Sequence, residues 1–299
     1  MNKPIIGLNV AAGINVNALE AELASVKKWG YDCAEIALDA FPLIISGKEN
    51  KKFVEYAGSI LKKAGLHYSA HIGVGLDLRS RDQYRLHMDA LLASIDICAR
   101  LSLNPLVLHF EQDSHNPEVE NQFIEGHKKA ALYAQQKGIM LCLENIEVEH
   151  YKPVLEAVKL VGLANFKMNL DLGHLYIASK YFGFSFEEAI RECAPYVGHC
   201  HINDNTGIFE PMRLENFDLY RALPMGYRIT FGRGDIHMPP FYGEVPIEFS
   251  IGILKAARFS GKYICEYQSR IFTPFNQRIQ KHIREVIERQ PAASEEKGI

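Results

Sequence analysis

A chain of 299 residues with 33 Lys+Arg against 36 Asp+Glu carries a formal net charge of −3, and its 47% hydrophobic and 23% charged content is that of an ordinary globular protein. The longest apolar runs reach about ten residues, short of the ~20 a spanning helix needs, and the slightly acidic balance offers no basic face for nucleic acid. The length suits either two ordinary domains or one large β/α barrel.

From the N-terminus, the apolar stretch after Ile5 is interrupted by Gly7, Asn9, Gly13 and Asn15. It therefore reads as a first strand in a reducing cytoplasm, not as a signal peptide. A pattern then repeats: a short apolar run, a polar turn, an amphipathic stretch, a Gly or Pro, and the next run. The runs are 5–10, 33–38, 67–72, 105–110, 139–145, 166–171, 197–203 and 263–267. Between and after them lie helix-period segments at 18–29, 52–63, 83–101, 119–136, 153–161, 186–193, 246–258 and 274–289. Gly30, Gly65, Gly138 and Gly261 stand where C-cap glycines belong, just before the next strand.

Strands alternating with helices imply a parallel sheet, and eight such units imply closure into a single-domain (β/α)8 TIM barrel over residues 1–290. The tail, 291–299, has no apolar face and is expected to be frayed. One long irregular stretch, 204–234, interrupts the pattern; loops beyond about 12–15 residues are uncommon unless functional. It carries Arg213, Arg221, Arg228 and Arg233 with Tyr220 and Tyr227, a composition suited to covering an anionic or sugar-like ligand. The six cysteines (Cys33, Cys98, Cys142, Cys193, Cys200, Cys265) form no CxxC pair or disulfide framework. Tyr181, Phe182 and Phe184, if exposed, are contact residues for a homo-oligomer.

Active sites of such barrels form at the C-terminal ends of the strands. His71 closes the third run, His109 the fourth, Glu144 the fifth and Asp171 the sixth, with His174 three residues later. His201 lies in the seventh run, Glu266 in the eighth, and Asp235 and His237 in the intervening loop. A lone His or Glu on an apolar run is ordinarily a satisfied core residue. A core has no reason to collect nine such groups at one end, because burying unpaired charge is costly. A metal explains the set. Imidazole and carboxylate without thiolate suit Zn2+, Mn2+, Fe2+ or Co2+. Nine ligands exceed one coordination sphere, so either there are two or three ions, or one ion with several residues serving the substrate.

Parity places His199, His201 and Asn203 on one strand face and Asn169 with Asp171 on another. His67 and His199, nearer the strand starts, read as structural or supporting residues. Glu111 shares the face of His109, and it and Glu35 are placed to orient a ligand. His87, His115, His127, His150 and His282 fall on helical or loop stretches and are assigned no functional role.

Taken together, LEN at 143–145, DLGH at 171–174, HINDN at 201–205 and DIHMPPFYGEVP at 235–246 resemble the xylose-isomerase-like TIM barrels, over nearly the whole chain. That superfamily includes sugar-phosphate isomerases/epimerases and endonuclease IV. In its ketose epimerase branch, residues matching Glu144, Asp171, His201 and Glu266 hold one divalent metal. The two glutamates there act as the acid/base pair across a metal-stabilised enediolate. The residue matching His174 holds a substrate oxygen. Where that branch carries an arginine beyond the strand-seven histidine, this chain has Gly207.

In endonuclease IV, three zinc ions are held by residues matching all nine candidates, yet this chain lacks the basic face that DNA binding needs. The resemblance therefore implies a metal-dependent isomerase or epimerase, with one to three Zn2+ or Mn2+ ions. Its substrate would be a small sugar or sugar phosphate, contacted by His174, Asn203, Arg213 and Arg233. The alternatives are a multinuclear zinc phosphodiesterase, or a lyase or dehydratase using the same chemistry.

Overall fold

In the computed structural model, which describes residues 3–10, 16–73 and 75–290, eight parallel strands close into a barrel. They are β1 (Ile5–Val10), β2 (Cys33–Ala37), β3 (His67–Ile72), β4 (Leu106–His109), β5 (Leu141–Glu144), β6 (Phe166–Asp171), β7 (Val197–Ile202) and β8 (Lys262–Cys265). Each pairs with its neighbours in chain order, and β8 closes the ring on β1 through Gly7 opposite Ile264. A two-stranded hairpin, Ile44–Ile45 with Lys48–Glu49, follows β2. The expected tail at 291–299, and Gly13 and Asn15, lie outside the described residues.

The outer layer consists of α1 (Leu19–Lys28), α2 (Lys51–Ala64), α3 (Tyr84–Leu101), α4 (Pro117–Gln136), α5 (Tyr151–Val161), α6 (Leu172–Phe182) and α7 (Phe186–Cys193). Three short helices then break the alternation: α8 (Met212–Glu215), α9 (Phe217–Ala222) and α10 (Met225–Phe231). They are followed by α11 (Ile247–Ala256) and α12 (Asn276–Arg289). Helices form where apolar residues recur at helical spacing, as in α2, which buries Val54, Ala57, Ile60 and Leu61 against the sheet. Each such side chain contributes roughly 1–3 kcal/mol of transfer free energy. No helix among the described residues is long and apolar enough to cross a membrane, and all six cysteines are free and buried.

Three expectations are corrected. The stretch 204–234 is not irregular, because it folds into α8, α9 and α10. Helix α6 has no counterpart among the expected segments; Leu172 through Ser179 are all buried, so no polar face marks it as a helix. Gly261 caps nothing. Helix α11 ends at Ala256 and the left-handed residue after it is Arg258, at φ 61°. A Cβ on Gly261 would lie 2.1 Å from the Gly198 carbonyl oxygen, so this glycine permits a close backbone approach. Gly30, Gly65 and Gly138 do adopt positive φ after their helices.

Candidate functional site

The parallel strands deliver their last residues to one rim. His71 is the penultimate residue of β3, His109 ends β4, Glu144 ends β5, Asp171 ends β6, His201 lies in β7 and Glu266 follows β8 directly. With His174, Asp235 and His237, the nine expected donors fall into three groups, in each of which the ligand atoms lie within 4.8 Å of one another; a fourth, wholly buried group is Glu35, His199 and His201. One group is His71, His109 and Glu144; the second is Glu144, Asp171, His201 and Glu266; the third is His174, Asp235 and His237. Glu144 belongs to the first two, with Oε2 3.3 Å from His71 Nε2 and Oε1 3.4 Å from His201 Nδ1.

Local structure sets Asp171 in place. Its Oδ1 caps α6 by accepting the His174 N–H at 2.7 Å, which puts His174 in the first turn of that helix. Its Oδ2 accepts from the Asn203 amide at 2.7 Å, and Asn145 bridges its backbone N–H and C=O. The glycine of DLGH makes this possible, since a Cβ on Gly173 would sit 1.7 Å from Asn203 Oδ1. Asn203, expected to contact substrate, is thus buried as a support for Asp171 and is not among the residues lining the cavity.

Four of the histidines have one ring nitrogen against an outer oxygen and the other turned to the centre. His109 Nδ1 stands 3.1 Å from Glu111 Oε1, and His237 Nδ1 3.0 Å from the Glu266 carbonyl oxygen. His174 Nδ1 is 3.1 Å from Glu147 Oε2, and His201 Nε2 is 2.8 Å from Glu35 Oε1. The hydrogen bonds of His109 and His237 favour the tautomer protonated on the outer side and leave a lone pair facing inward, the arrangement by which metal-binding histidines are oriented; the His174–Glu147 and His201–Glu35 pairs stand at ion-pair distance without hydrogen-bond geometry. Glu35 is itself held by Ser69 at 2.8 Å and by His199 Nε2 at 2.9 Å.

The residues fit a cation on electrostatic grounds as well. His201 Nδ1 lies 2.9 Å from Glu266 Oε2, yet both atoms are buried without a hydrogen bond. Burial and the charges of Glu144 and Glu266 push Asp171 up to about 7. Burial disfavours protonated His71, but Glu144, Glu266 and Glu35 overcome it and push its pKa up to about 9. His237 is driven to about 10 against burial, chiefly by Asp235. Protons therefore hold together what is built as a surplus of carboxylates around inward lone pairs. Divalent cations at the three groups would do the same work with proper coordination chemistry.

Above the groups lies a cavity of about 570 Å3. Glu144, Glu266, His71, His109, His174 and His237 line its floor, and Asn9, Asp39 and Gln268 one side. The inserted helices supply the opposite side with Arg213, Phe217, Tyr220, Arg221, Met225 and Arg228. Arg213 is already engaged, its Nε 2.9 Å from Glu147 Oε1. Arg233, expected to contact substrate, is not among the residues lining the cavity and pairs with Glu210 at 3.0 Å. Arg228 gives Nη1 to the Tyr220 hydroxyl and the Asp235 carbonyl, while its buried Nε has no partner. Arg221 lies 5.7 Å from the Phe217 ring centroid.

Comparison with known proteins places this architecture. The family model described as xylose isomerase-like TIM barrel matches residues 23–290. The chain belongs to that family. Among solved structures, a xylose isomerase-like TIM barrel protein from Mycobacterium smegmatis in complex with magnesium aligns at TM-score 0.70 and 17% identity, covering 96% of this chain and 97% of that one. D-psicose 3-epimerase from Clostridium cellulolyticum H10, with D-tagatose, aligns at TM-score 0.67 and 16% identity, covering 94% and 99%. The IOLI protein with a binding zinc atom aligns at 0.66 and 16% identity, covering 96% and 99%. At such identities the likeness is one of fold. No curated protein matches the chain significantly.

In this xylose isomerase-like barrel, several cavity residues escape strand parity. Glu147 lies three positions past Glu144, in a loop whose path the sequence does not reveal; Asn9, Asp39 and Gln268 likewise carry no motif. The histidines assigned no role are accounted for locally. His127 Nδ1 bonds the Phe123 carbonyl oxygen, His150 caps α5, and His87 accepts the Asp77 N–H. His199 supports Glu35, whereas His67 is exposed at the far end of β3. Tyr181 and Phe182 are exposed, while Phe184 packs on the core.

Proposed function

We propose that the chain is a divalent-metal-dependent isomerase or epimerase of a sugar, sugar phosphate or similar small polyol. The observation that carries this reading is the convergence of Glu144, Asp171, His201 and Glu266, from four different strands, around one point on the cavity floor. These four would hold one ion; His71 and His109 with Glu144, and His174 with Asp235 and His237, are sites for two more. A bound divalent cation would polarise a substrate carbonyl and stabilise the negative charge that follows loss of a neighbouring proton.

The chain's own residues supply the proton transfers. Burial raises Glu144, but His201 and His71 more than offset it and hold it well below the usual carboxylate range; Glu266 is lowered by His201 and His237 in the same way. Both are therefore carboxylates at neutral pH, and either can take the proton from the carbon beside the carbonyl; isomerisation returns that same proton to the neighbouring carbon, whereas epimerisation returns one from the opposite glutamate after that group has taken a proton from solvent. The cavity volume suits a monosaccharide or its phosphate. Arg228, with its unpartnered Nε, and Arg221 are the residues for a phosphate or carboxylate on that substrate, in place of Arg213 and Arg233. The D-psicose 3-epimerase likeness and the magnesium- and zinc-containing neighbours are consistent with this reading.

A second reading, a multinuclear phosphodiesterase, is favoured by the two further donor groups beside the first. One experiment separates them. Incubated with Mn2+ or Zn2+ in D2O, the protein should exchange solvent deuterium into the carbon next to the carbonyl of a ketose or ketose phosphate, and EDTA should stop it. No exchange across a panel of ketoses and their phosphates, together with hydrolysis of bis(4-nitrophenyl) phosphate, would replace the first reading with the second.

A further inference from the structure

The inserted helices themselves rest on the barrel through little buried side chain: α8 and α10 bury no residue, and α9 buries Tyr220 alone. Leu214, Leu219, Tyr227 and Phe231 point to solvent. The insertion is pinched at its base, where Asp204 and Met238 exchange backbone hydrogen bonds. Apolar packing of the insertion on the barrel is concentrated in Phe209, which clusters with Ile146, Val148 and Ile177 just ahead of α8, and the helices beyond it are left for polar contacts to hold down. Arg213 is placed to do so: Nε donates to Glu147 Oε1 at 2.9 Å, and Nη2 stands 3.9 Å from Glu111 Oε2. Its guanidinium lies 4.6 Å from the Phe217 ring centroid and its side chain is 13% exposed, so it is enclosed by the insertion it anchors.

The two carboxylates it reaches are those that orient donor histidines. Glu111 faces His109, in the first group, and Glu147 faces His174, in the third. The middle group takes its support elsewhere, from Glu35 and Asn203. The geometry points to Arg213 as a positioning residue that couples the insertion to the two outer groups. Docking of α8–α10 aligns Glu111 and Glu147, which aligns His109 and His174; cation loading of those groups in turn holds the insertion down. Such coupling is reciprocal by thermodynamic necessity. This inference rests on the reading that the site holds divalent cations, and goes beyond it by tying two of the three groups to the insertion.

The test uses the full-length protein stripped with chelator, titrated with Zn2+ and digested with chymotrypsin, which cuts after the aromatic residues of 212–231. Loaded wild type should be cut there at least ten times more slowly than stripped wild type. Arg213→Ala should weaken the outer Zn2+ sites by about 10- to 100-fold, leave the site of Glu144, Asp171, His201 and Glu266 at wild-type affinity, and make cleavage fast with or without Zn2+. Arg213→Lys should recover part of both effects. Glu147→Gln, which keeps the shape of the contact, should weaken the His174 group while sparing the His109 group. Wild-type Zn2+ affinities and undiminished Zn2+-dependent protection in Arg213→Ala would overturn the coupling and leave the metal reading intact. A wild type that binds a single Zn2+ would overturn the coupling alone, and one that binds none would overturn both. Should Arg213→Ala fail to fold by circular dichroism, Arg213→Lys and Glu147→Gln decide the matter on the same readouts.

Discussion

The strand ends and the inserted helices face each other across one cavity, yet they place their side chains by different means. On the barrel side, six of the donors sit at or next to strand ends whose register is set by backbone pairing, as where His109 stands opposite Glu144 and, past a register shift at Met168 and Asn169, Asp171 opposite His201. A donor there cannot move without shifting the ladder around it. On the insertion side, Arg213, Arg221 and Arg228 ride on helices of four to seven residues with hardly any buried apolar surface. Arg213 is tied to the barrel by Glu147, while Arg221 and Arg228 contact Phe217, Tyr220 and the Asp235 carbonyl at the insertion itself. The contrast teaches that one wall is suited to chemistry, which tolerates little misplacement, and the other to selecting and enclosing what enters.

That division is sharpest at the glutamates. Glu144→Gln or Glu266→Gln should each lower deuterium exchange into substrate by about 10³-fold or more with the far-ultraviolet spectrum unchanged; full activity in either would remove that residue from the acid/base pair. Acid tests the barrel wall itself. His127 is buried against Phe123 and Phe166, and burial first, with the nearby Arg79 charge, depresses it to about 4. The folded chain thus holds His127 neutral while the unfolded chain protonates it near its ordinary value. Its contribution, on the order of 3 kcal/mol, is whole above pH ~6.5 and lost as pH falls toward 4. Urea unfolding at pH 7 and pH 4.5 should show this loss, and His127→Gln should flatten it; an unchanged pH slope in the variant would assign the loss to other groups.

Smaller effects separate the two walls further. Glu35→Gln should weaken Mn2+ or Zn2+ binding by about 10- to 100-fold, because the neutral amide removes the charge that faces His201 Nε2; unchanged affinity would show that His201 is held without it. Arg228→Ala should raise KM about tenfold for a phosphorylated substrate and little for its unphosphorylated analogue, and equal effects on both would remove the anion from the account. Arg233→Ala, on the outer side of the insertion, should change KM less than threefold.

Much of this was legible in the residues alone, for identifiable reasons. Alternating apolar runs and amphipathic segments repeat eight times, and a parallel barrel is the economical way to bury such strands on both faces. Because each run ends at the same rim, His71, His109, Glu144, Asp171, His201 and Glu266 could be grouped before any distance was known. Helix α6 escaped the same reading, since a helix buried all round has no polar face to mark it. Glu147 escaped because a loop residue has no periodicity to reveal its direction.

What the sequence determined by itself is therefore the barrel and the ring of donors, both consequences of short-range patterns that repeat with strand and helix. What only the tertiary structure decided is how the donors divide into three groups, which oxygen faces each histidine, and that Arg213 spends its charge on Glu111 and Glu147 while Arg233 turns to Glu210. These depend on segments distant in the chain meeting in space, and a guanidinium goes to whichever buried carboxylate most needs a partner, a choice set by proximity after folding and not by spacing along the chain.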